Sequence, residues 1–329
     1  MSREVVLIAR PQGEPRESDF ELRDAIDHDP GSGEVAVRNV LVSVDPYMRG
    51  RMAGIRTYVG PFELGEVVDG AAVGRVVASQ HESLSEGDWV LSSLGWREHG
   101  IVAGDHVRKL DPALAPPATA LGVLGMPGLT AWVGLVDIGA VKEGETVWVS
   151  GAAGAVGSAA AQIAKLKGLR VIGSAGSGEK VEWLESLGID AFDYRETQAK
   201  DALADGIDVY FDNVGGKQLE SALFALRPFG RVVACGAISR YNDEGPGAGP
   251  RNLGLIVTKR LRVQGFIVTD HRDRFGAFLE EVGPWVRDGR LAYRETIVDG
   301  IDNVPSAFAG LFRGDNIGKM LVRVGPDDL

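Results

Sequence analysis

Short apolar runs separated by turn residues fill roughly the first 120 residues of the chain. The clearest runs cover 35–42, 71–78 and 89–91. Asp69-Gly70 and Glu86-Gly87-Asp88 lie between them, where turns are expected. The pattern predicts a β-rich first domain, and its opening segment 1–8 resembles an ordinary strand and not a secretory signal peptide.

Strands and amphipathic helices alternate from about residue 125 onward. The pattern predicts strands over 146–150, 170–174, 208–211, 231–235 and 262–268. Helices are predicted up to Lys167, over 179–187, around 219–226 and over 275–286, the last kinked by Pro284. Such alternation implies a parallel sheet covered by helices on both faces. The tail from Arg294 has the pattern of strands that return to the first domain.

Composition narrows the class of protein. The chain has 329 residues, of which 44 % are hydrophobic and 25 % charged, as in a globular protein of about two domains. Its net charge of −11 opposes binding to nucleic acid or to an anionic membrane, which depends on Lys and Arg. Prolines interrupt the longest uncharged stretch, 112–136, so it is a poor membrane span. We expect a cytoplasmic protein with neither partner.

Cysteine and histidine are sparse. Cys235 is the single cysteine, which excludes an internal disulfide and a multi-cysteine zinc site. The five histidines show no spacing typical of metal ligands. We therefore predict no metal, and we interpret Cys235 as a small packed side chain and not as a nucleophile.

A glycine-rich segment, Gly151-Ala-Ala-Gly154-Ala-Val-Gly157, follows the predicted strand 146–150 and opens a helix. Glycines let the backbone turn tightly and approach a pyrophosphate at the helix N-terminus. A glycine pattern alone would equally suit a turn with close packing, but the order of strand, loop, helix and strand favours dinucleotide binding.

The end of the second strand distinguishes the two nicotinamide cofactors. NAD enzymes usually carry an acidic residue there for the ribose hydroxyls. This chain instead has Ser174-Ala-Gly-Ser-Gly178, and its first acid is Glu179. The missing acid and the nearby Lys180 favour NADP(H) over NAD, although an exposed helix lysine is the simpler interpretation of Lys180 alone.

Several further motifs carry a resemblance. The most specific are Val44-Asp-Pro-Tyr-Met-Arg49, Gly95-Trp96, Leu124-Gly-Met-Pro-Gly-Leu-Thr-Ala131, Asp212-Asn-Val-Gly-Gly216, Cys235-Gly-Ala-Ile-Ser239 with Tyr241-Asn242, and Asn316-Ile-Gly-Lys319. With the glycine loop, they make nearly the whole chain similar to the medium-chain dehydrogenase/reductase superfamily. Within it, the chain resembles the zinc-free prostaglandin reductase (leukotriene B4 12-hydroxydehydrogenase-like) branch of NADP-dependent alkenal and enone reductases.

The resemblance implies an α/β fold with two domains and a homodimer. A GroES-like catalytic domain would cover 1–122 with a C-terminal return over 295–329, and a Rossmann doubly wound parallel sheet would cover 123–294. NADPH would bind in the cleft between them. Zinc-dependent members carry a cysteine and a Gly-His-Glu segment where this chain has Asp45-Pro-Tyr47 and Leu64-Gly-Glu66, so the resemblance implies a zinc-independent enzyme.

The cofactor contacts of that branch fall on a defined set of positions. They are Gly154, Ala155, Val156, Gly157 and Ser158 for the pyrophosphate, Lys180 and Tyr194 for the adenosine phosphate, and Asn213, Cys235, Gly236, Ala237, Ile238, Ser239, Phe266, Ile267, Val268 and Asn316 toward the nicotinamide. Individually, Tyr194 suits a strand cap, Asn213 a turn and Phe266 a core position. The matched order of motifs favours the cofactor role.

The reaction implied is reduction of the C=C bond of an α,β-unsaturated ketone or aldehyde, a reaction on CH–CH donors. Negative charge builds on the carbonyl oxygen, which calls for a hydrogen-bond donor. Tyr241 and Tyr47 are the candidate catalytic residues, because a phenol is a neutral donor near pH 7. A ribose hydroxyl or a water is an alternative proton source, and Tyr47 equally suits a packed aromatic residue.

Two other functions stay open from the residues. A quinone oxidoreductase of the same superfamily would share the cofactor site and differ in its acceptor. A non-catalytic NADP-binding protein would keep the glycine loop without turnover. The small-molecule partner of the favoured function is an α,β-unsaturated carbonyl compound.

Overall fold

The structure is a computed structural model that describes residues 2–25, 28–245 and 247–326. The chain divides into two compact units, Met1–Leu121 with Glu295–Leu329, and Gly122–Arg294. Among the helices in the described ranges, none combines the length and the hydrophobicity that a membrane crossing requires.

The first unit begins with short strands joined by turns. Its elements up to residue 121 are β1 (Ser2–Leu7), β2 (Phe20–Ala25), β3 (Glu34–Ser43), α1 (Met48–Met52), β4 (Ala72–Ser79), β5 (Trp89–Ser92), β6 (His99–Ala103) and β7 (Arg108–Leu110). β1 and β2 pair antiparallel as a separate ribbon. The predicted strand 1–8 is present as β1 and ends at Leu7, one residue earlier than predicted, while Met1 lies outside the described residues.

The second unit alternates strands and helices. Its elements are α2 (Met126–Val133), β8 (Thr146–Val149), α3 (Ala155–Leu166), β9 (Arg170–Ala175), α4 (Gly178–Ser186), β10 (Asp190–Asp193), α5 (Ala199–Ala202), β11 (Ile207–Asp212), α6 (Gly216–Ala225), β12 (Leu226–Ala234), α7 (Gly254–Thr258), β13 (Arg262–Gly265) and α8 (Phe275–Arg287). The strand order is β10-β9-β8-β11-β12-β13, and all neighbours run parallel. The chain winds outward from β8 in one direction and then from β11 in the other.

The tail returns to the first unit through β14 (Glu295–Asp299), α9 (Val304–Arg313) and β15 (Lys319–Arg323). β15 pairs antiparallel with β3 and parallel with β14, which gives the sheet order β14-β15-β3-β4-β5-β7, with β6 on β3. The predicted α/β fold class is confirmed: a β-rich unit accompanies a doubly wound parallel sheet.

Each unit has its own apolar core. In the parallel unit, Val147, Val149 and Phe211 of the central strands pack with the small residues of α3, including Ala160 and Ala164. These alanines let the helix approach the sheet closely. In the β-rich unit, Trp96 packs between Phe20 and Phe308, with ring centroids 5.5 Å apart in both pairs.

Three local predictions were wrong. The predicted strand 262–268 ends at Gly265, so Phe266, Ile267 and Val268 belong to the loop that follows β13. The tail contains a helix, α9, in addition to strands; Pro305 lies in its first turn, where proline is tolerated. The predicted strand 231–235 begins earlier, at Leu226, and ends at Ala234.

Candidate active site

The carboxyl ends of the parallel strands form one edge of the second unit's sheet. The segments that leave this edge contain most of the predicted cofactor residues: Gly154–Ser158 after β8, Lys180 after β9, Tyr194 after β10, Asn213 after β11, Cys235–Ser239 after β12 and Phe266–Val268 after β13. The order of the sheet reverses between β8 and β11, and doubly wound sheets bind ligands at such a switch point.

The glycine loop has the geometry that a phosphate requires. Gly151 has φ +58, a conformation that suits glycine, and Gly154 is the extended N-cap of α3 without a side-chain cap. A Cβ added to Gly157 would lie 2.2 Å from the carbonyl oxygen of Gly151. The first turn of α3 contains no acidic residue. The loop therefore presents helix N–H groups toward an anion, and these residues fit a dinucleotide.

We expect Gly157→Ala to weaken NADPH binding by about tenfold or more and to lower the thermal stability. The added methyl group would force α3 away from Gly151, and such overpacking costs about 1–3 kcal/mol. Calorimetric titration with NADPH and thermal unfolding measure the two effects. Gly276→Ala is the matched control, because a Cβ in this first-turn glycine of α8 would meet nothing within 4 Å. Unchanged NADPH affinity in Gly157→Ala would contradict this role of the loop.

The end of β9 carries no acid, as the sequence predicts. Ser174 is buried and internally bonded: it accepts a hydrogen bond from Trp148 Nε1 and donates one to Gln218 Oε1. Lys180 is half-buried in the first turn of α4. A Cβ added to Gly176 would lie 2.9 Å from the Tyr194 hydroxyl, so Tyr194 packs against the turn between β9 and α4. Lys180 and Tyr194 are the two residues that the sequence analysis predicts for the adenosine end of the site.

Asn213 is held at the edge of the sheet by Ser150. The Asn213 amide Nδ2 donates to the Ser150 carbonyl at 2.7 Å, and its backbone N–H donates to Ser150 Oγ at 3.0 Å. The Asn213 carbonyl accepts from the backbone N–H of Ile238 at 3.2 Å. Asn213 therefore joins the segments that follow β8, β11 and β12.

A buried carboxylate organises the turn after β11. Oδ1 of Asp212 accepts hydrogen bonds from the Tyr210 hydroxyl at 2.9 Å and from the backbone N–H groups of Val214 and Gly215 at 3.0 and 2.7 Å. Burial raises the pKa of Asp212 above its ordinary value, and these donors act against that rise. The sequence analysis missed Ser150 and Asp212, although Asp212 opens one of the motifs that it singled out.

Cys235 follows β12 beside this turn. Loss of hydration, together with the Asp212 carboxylate, raises the pKa of Cys235 from 9.0 to about 12. The thiolate is the reactive form of cysteine, so this environment opposes a nucleophilic role.

We expect iodoacetamide to alkylate native Cys235 at pH 8 about 1000-fold more slowly than a cysteine of ordinary pKa, because the thiolate fraction falls tenfold per pH unit below the pKa. The rate should keep rising as the pH increases toward 12. Mass spectrometry gives the rate directly, since the chain has one cysteine. Denatured protein is the control, and fast alkylation of the native protein at pH 8 would contradict the shift.

Tyr241 folds back over the segment that follows β12. Its hydroxyl oxygen accepts a hydrogen bond from the Ala237 backbone N–H at 3.2 Å, and a Cβ added to Gly236 would lie 3.2 Å from that oxygen. An accepted hydrogen bond polarises the phenol O–H and strengthens it as a donor. Tyr241 thus holds its hydroxyl against the Cys235–Ser239 segment, at the same edge as Asn213.

Tyr47 belongs to the first unit, where it is the N-cap residue of α1. It is half-buried and packs against the core of that unit. Burial, together with the Asp45 carboxylate, raises the pKa of the Tyr47 phenol well above its ordinary value. Tyr47 therefore stays protonated at neutral pH and can act only as a neutral donor.

Tyr58 is an additional residue that the sequence analysis did not identify. It is close enough to Tyr47 to influence the pKa of that phenol, and its own side chain is exposed. Arg51 contacts two residues of the segment between α1 and β4. Its guanidinium forms two hydrogen bonds to the Asp69 carboxylate and lies 3.8 Å from the centre of the Phe62 ring. Only the folded structure brings these residues together.

Asn316 also lies in the first unit, between α9 and β15. It is half-buried, and its Nδ2 donates to the Gly318 carbonyl at 2.7 Å. Asp45, which opens the Asp45-Pro-Tyr47 segment, is paired with Lys319. The described ranges contain no group of three or more His, Cys, Asp or Glu side chains with the arrangement of a metal site.

Comparisons with known proteins agree on one family. Residues 3–110 match the family described as the N-terminal domain of oxidoreductase, and residues 155–283 match the family described as zinc-binding dehydrogenase. The chain is 44 % identical to the NADPH-dependent curcumin reductase of Escherichia coli over 99 % of its length and 98 % of the relative's. It is 41 % identical to the NADP(+)-dependent 2-alkenal reductase of Nicotiana tabacum over 98 % of its length and 97 % of the relative's.

A solved structure is similar over the whole chain. The structure of CurA from Vibrio vulnificus in complex with NADPH superimposes with a TM-score of 0.94 at 40 % sequence identity. The match covers 98 % of this chain and 99 % of that one.

Proposed function

Because the chain belongs to the zinc-free branch of the medium-chain dehydrogenase/reductase family, we propose that it reduces the C=C bond of α,β-unsaturated ketones and aldehydes with NADPH. The observation that carries this proposal is the similarity, over nearly the full length, to a curcumin reductase and a 2-alkenal reductase. Both relatives are named as reductases, and both names give NADP(H) as the cofactor.

The residues of the second unit would hold the cofactor. Gly154–Ser158 would face the pyrophosphate, Lys180 and Tyr194 the adenosine phosphate, and Asn213 with Cys235–Ser239 the nicotinamide side. When bound, NADPH supplies a hydride. The absence of an acid at the end of β9 removes the repulsion that a 2′-phosphate would otherwise meet.

The protein's own contribution is orientation and charge stabilisation. As the β-carbon of the substrate is reduced, negative charge develops on the carbonyl oxygen, and a neutral phenol donor stabilises that charge. Tyr241 is our preferred donor, because its oxygen already accepts a hydrogen bond from Ala237. Tyr47 is the second candidate, because its phenol is a neutral hydrogen-bond donor at neutral pH. Protonation at the α-carbon then completes the reduction.

The test is NADPH oxidation at 340 nm by purified protein with a matched panel of enones, alkenals and quinones. We expect turnover of the enones and alkenals, with saturated carbonyl compounds as products and little turnover with NADH. Turnover of the quinones alone would reassign the chain to a quinone oxidoreductase. Tight NADPH binding without turnover of any acceptor would favour a non-catalytic role.

We also propose that the protein is a homodimer that pairs through the β13 edge of its parallel sheet. All four residues of β13 are exposed, and an open strand edge is a template for pairing with another chain. The helix that precedes β13 in the chain, α7, also exposes a large apolar side chain, Val257, at 76 %. Covering it would remove apolar surface from water.

Light scattering coupled to size-exclusion chromatography measures the mass of the assembly. We expect twice the mass of one chain for the wild type and a shift toward one chain for Val257→Glu. Leu114→Glu is the control, because Leu114 is equally exposed in the other unit. A wild-type protein of single-chain mass would overturn the dimer.

A further inference from the structure

Lys319 is a buried ammonium whose hydrogen-bonding capacity is fully used. The side chain is only 5 % exposed, at the start of β15. Nζ donates to the Val44 carbonyl at 2.8 Å and to the Met320 carbonyl at 3.0 Å, and it lies 3.1 Å from Asp45 Oδ1. An ammonium has three N–H donors, and each has an acceptor here.

Asp45 connects this ammonium to the turn that carries Tyr47. Its other carboxylate oxygen, Oδ2, accepts a hydrogen bond from Ser43 Oγ at 2.5 Å, and its backbone carbonyl accepts from the Met48 N–H at 3.1 Å. Asp45 is therefore bonded to the end of β3 and to the beginning of α1. Tyr47 lies between these two attachments.

The other side of the pair is the segment that carries Asn316. Lys319 follows Asn316 by three residues, and Thr296 Oγ1 accepts a hydrogen bond from the Ile317 N–H at 3.0 Å. The ladder between β15 and β3 begins at Leu321 opposite Ser43. The ion pair thus joins the turn that follows β3 to the first residue of β15, just beyond the point where the ladder between these two strands ends.

Stability alone is a weak reason for such a pair. Two buried charges lose hydration, and apolar residues of similar volume often stabilise a protein equally well. Lys319 also faces Glu295 across the β14–β15 register, and burial raises the pKa of that carboxyl group while Lys319 lowers it. One ammonium is therefore shared between two acidic side chains, with fixed geometry only toward Asp45.

We propose that Lys319, through Asp45, is a positioning residue that fixes the Tyr47 turn against the Asn316 segment in the reductase site. The inference rests on the proposed function, since it assigns a role for this geometry in turnover. Loss of the ion pair is expected to lower kcat, because it would displace the Tyr47 turn. It would remove no group from the second unit, where the glycine loop lies.

The test compares Asp45→Asn, Lys319→Met and the double variant with the wild type. Lys319→Met leaves a buried carboxylate without its cation, so we expect a large loss of thermal stability. The double variant removes both charges and should recover most of that stability. We expect kcat with an enone to stay at least tenfold below wild type in the double variant and in Asp45→Asn, with the KM for NADPH within about threefold.

A second readout is independent of turnover. Protein labelled with 3-fluorotyrosine gives one ¹⁹F resonance per tyrosine, and Tyr47→Phe identifies the Tyr47 signal. We expect that signal to shift and broaden in the double variant, while the Tyr210 signal in the other unit stays unchanged.

Arg231→Met with Glu145→Gln is the control for the kinetic comparison. This ion pair belongs to the parallel unit, and its removal should leave kcat unchanged.

The outcomes separate the two proposals. A wild type without turnover of any enone refutes the proposed function, whatever the variants do. Wild-type turnover with full kcat in a folded variant that lacks the pair overturns the positioning role, as does an unchanged Tyr47 resonance. Restored stability with persistently low kcat supports it. Asp45→Asn, which keeps the volume and an acceptor oxygen, serves if the other two variants fail to fold.

Discussion

Tyr241→Phe is expected to lower kcat for an enone by about 100-fold while leaving the affinity for NADPH within about twofold. Removal of one donor to a developing oxyanion typically costs 10²–10³ in kcat. The aromatic ring is retained, whereas the hydroxyl is lost together with the hydrogen bond that it accepts from the Ala237 N–H. Steady-state kinetics and NADPH titration of the same preparation measure both quantities.

Two further variants sharpen this result. Tyr47→Phe tests the second candidate, and the larger loss in kcat identifies the principal donor. Tyr293→Phe is the matched control, since Tyr293 is an exposed tyrosine of the parallel unit that is not among the predicted site residues. Wild-type turnover in both Tyr241→Phe and Tyr47→Phe would exclude a tyrosine donor and favour a ribose hydroxyl or a water.

Lys180→Ala should reduce kcat/KM for NADPH by about 10- to 100-fold and change that for NADH by less than about threefold. A hydrogen bond to a charged group contributes about 1.5–3 kcal/mol, which corresponds to this loss of affinity for the 2′-phosphate. No acid lies at the end of β9 to compensate by binding a ribose hydroxyl. The ratio of the two kcat/KM values is the quantity that reports on Lys180.

Lys200→Ala controls for the loss of one positive charge. Lys200 is exposed in α5 of the same unit, and its removal should leave the NADPH to NADH ratio unchanged. An equal loss for both cofactors in Lys180→Ala would show that Lys180 does not recognise the 2′-phosphate.

Local chemistry explains which parts of the fold could be predicted from the sequence. The central strands β8, β9 and β11 are almost entirely buried and each contains β-branched residues, and the glycine loop lies between β8 and α3 as expected. β10 escaped prediction because Phe192 is the single large apolar residue in its four. α8 runs to Arg287, three residues beyond Pro284. Its apolar face, which includes the buried Phe278 and Val282, favours the helix despite the proline.

The residues of the candidate site also fall into two groups: those that the sequence identifies and those that only the folded chain brings together. Residues within one motif, such as Gly157 or Asn213, could be identified because a short segment carries their signal. The Asp45–Lys319 pair could not, because the partners are 274 positions apart and meet only after β15 pairs with β3. Tyr58 and Asp212 were missed for a related reason: their importance depends on neighbours that folding brings to them, Tyr47 for one and Ser150 for the other.

The most direct test of the proposed reaction is the position of the transferred hydrogen. The wild type is incubated with an enone and with NADPH dideuterated at C4 of the nicotinamide, and the product is analysed by ²H and ¹H NMR. We predict a saturated ketone with deuterium at the β-carbon and a solvent-derived proton at the α-carbon. An allylic alcohol with deuterium on the carbon that bears the hydroxyl group would contradict C=C reduction and indicate a carbonyl reductase.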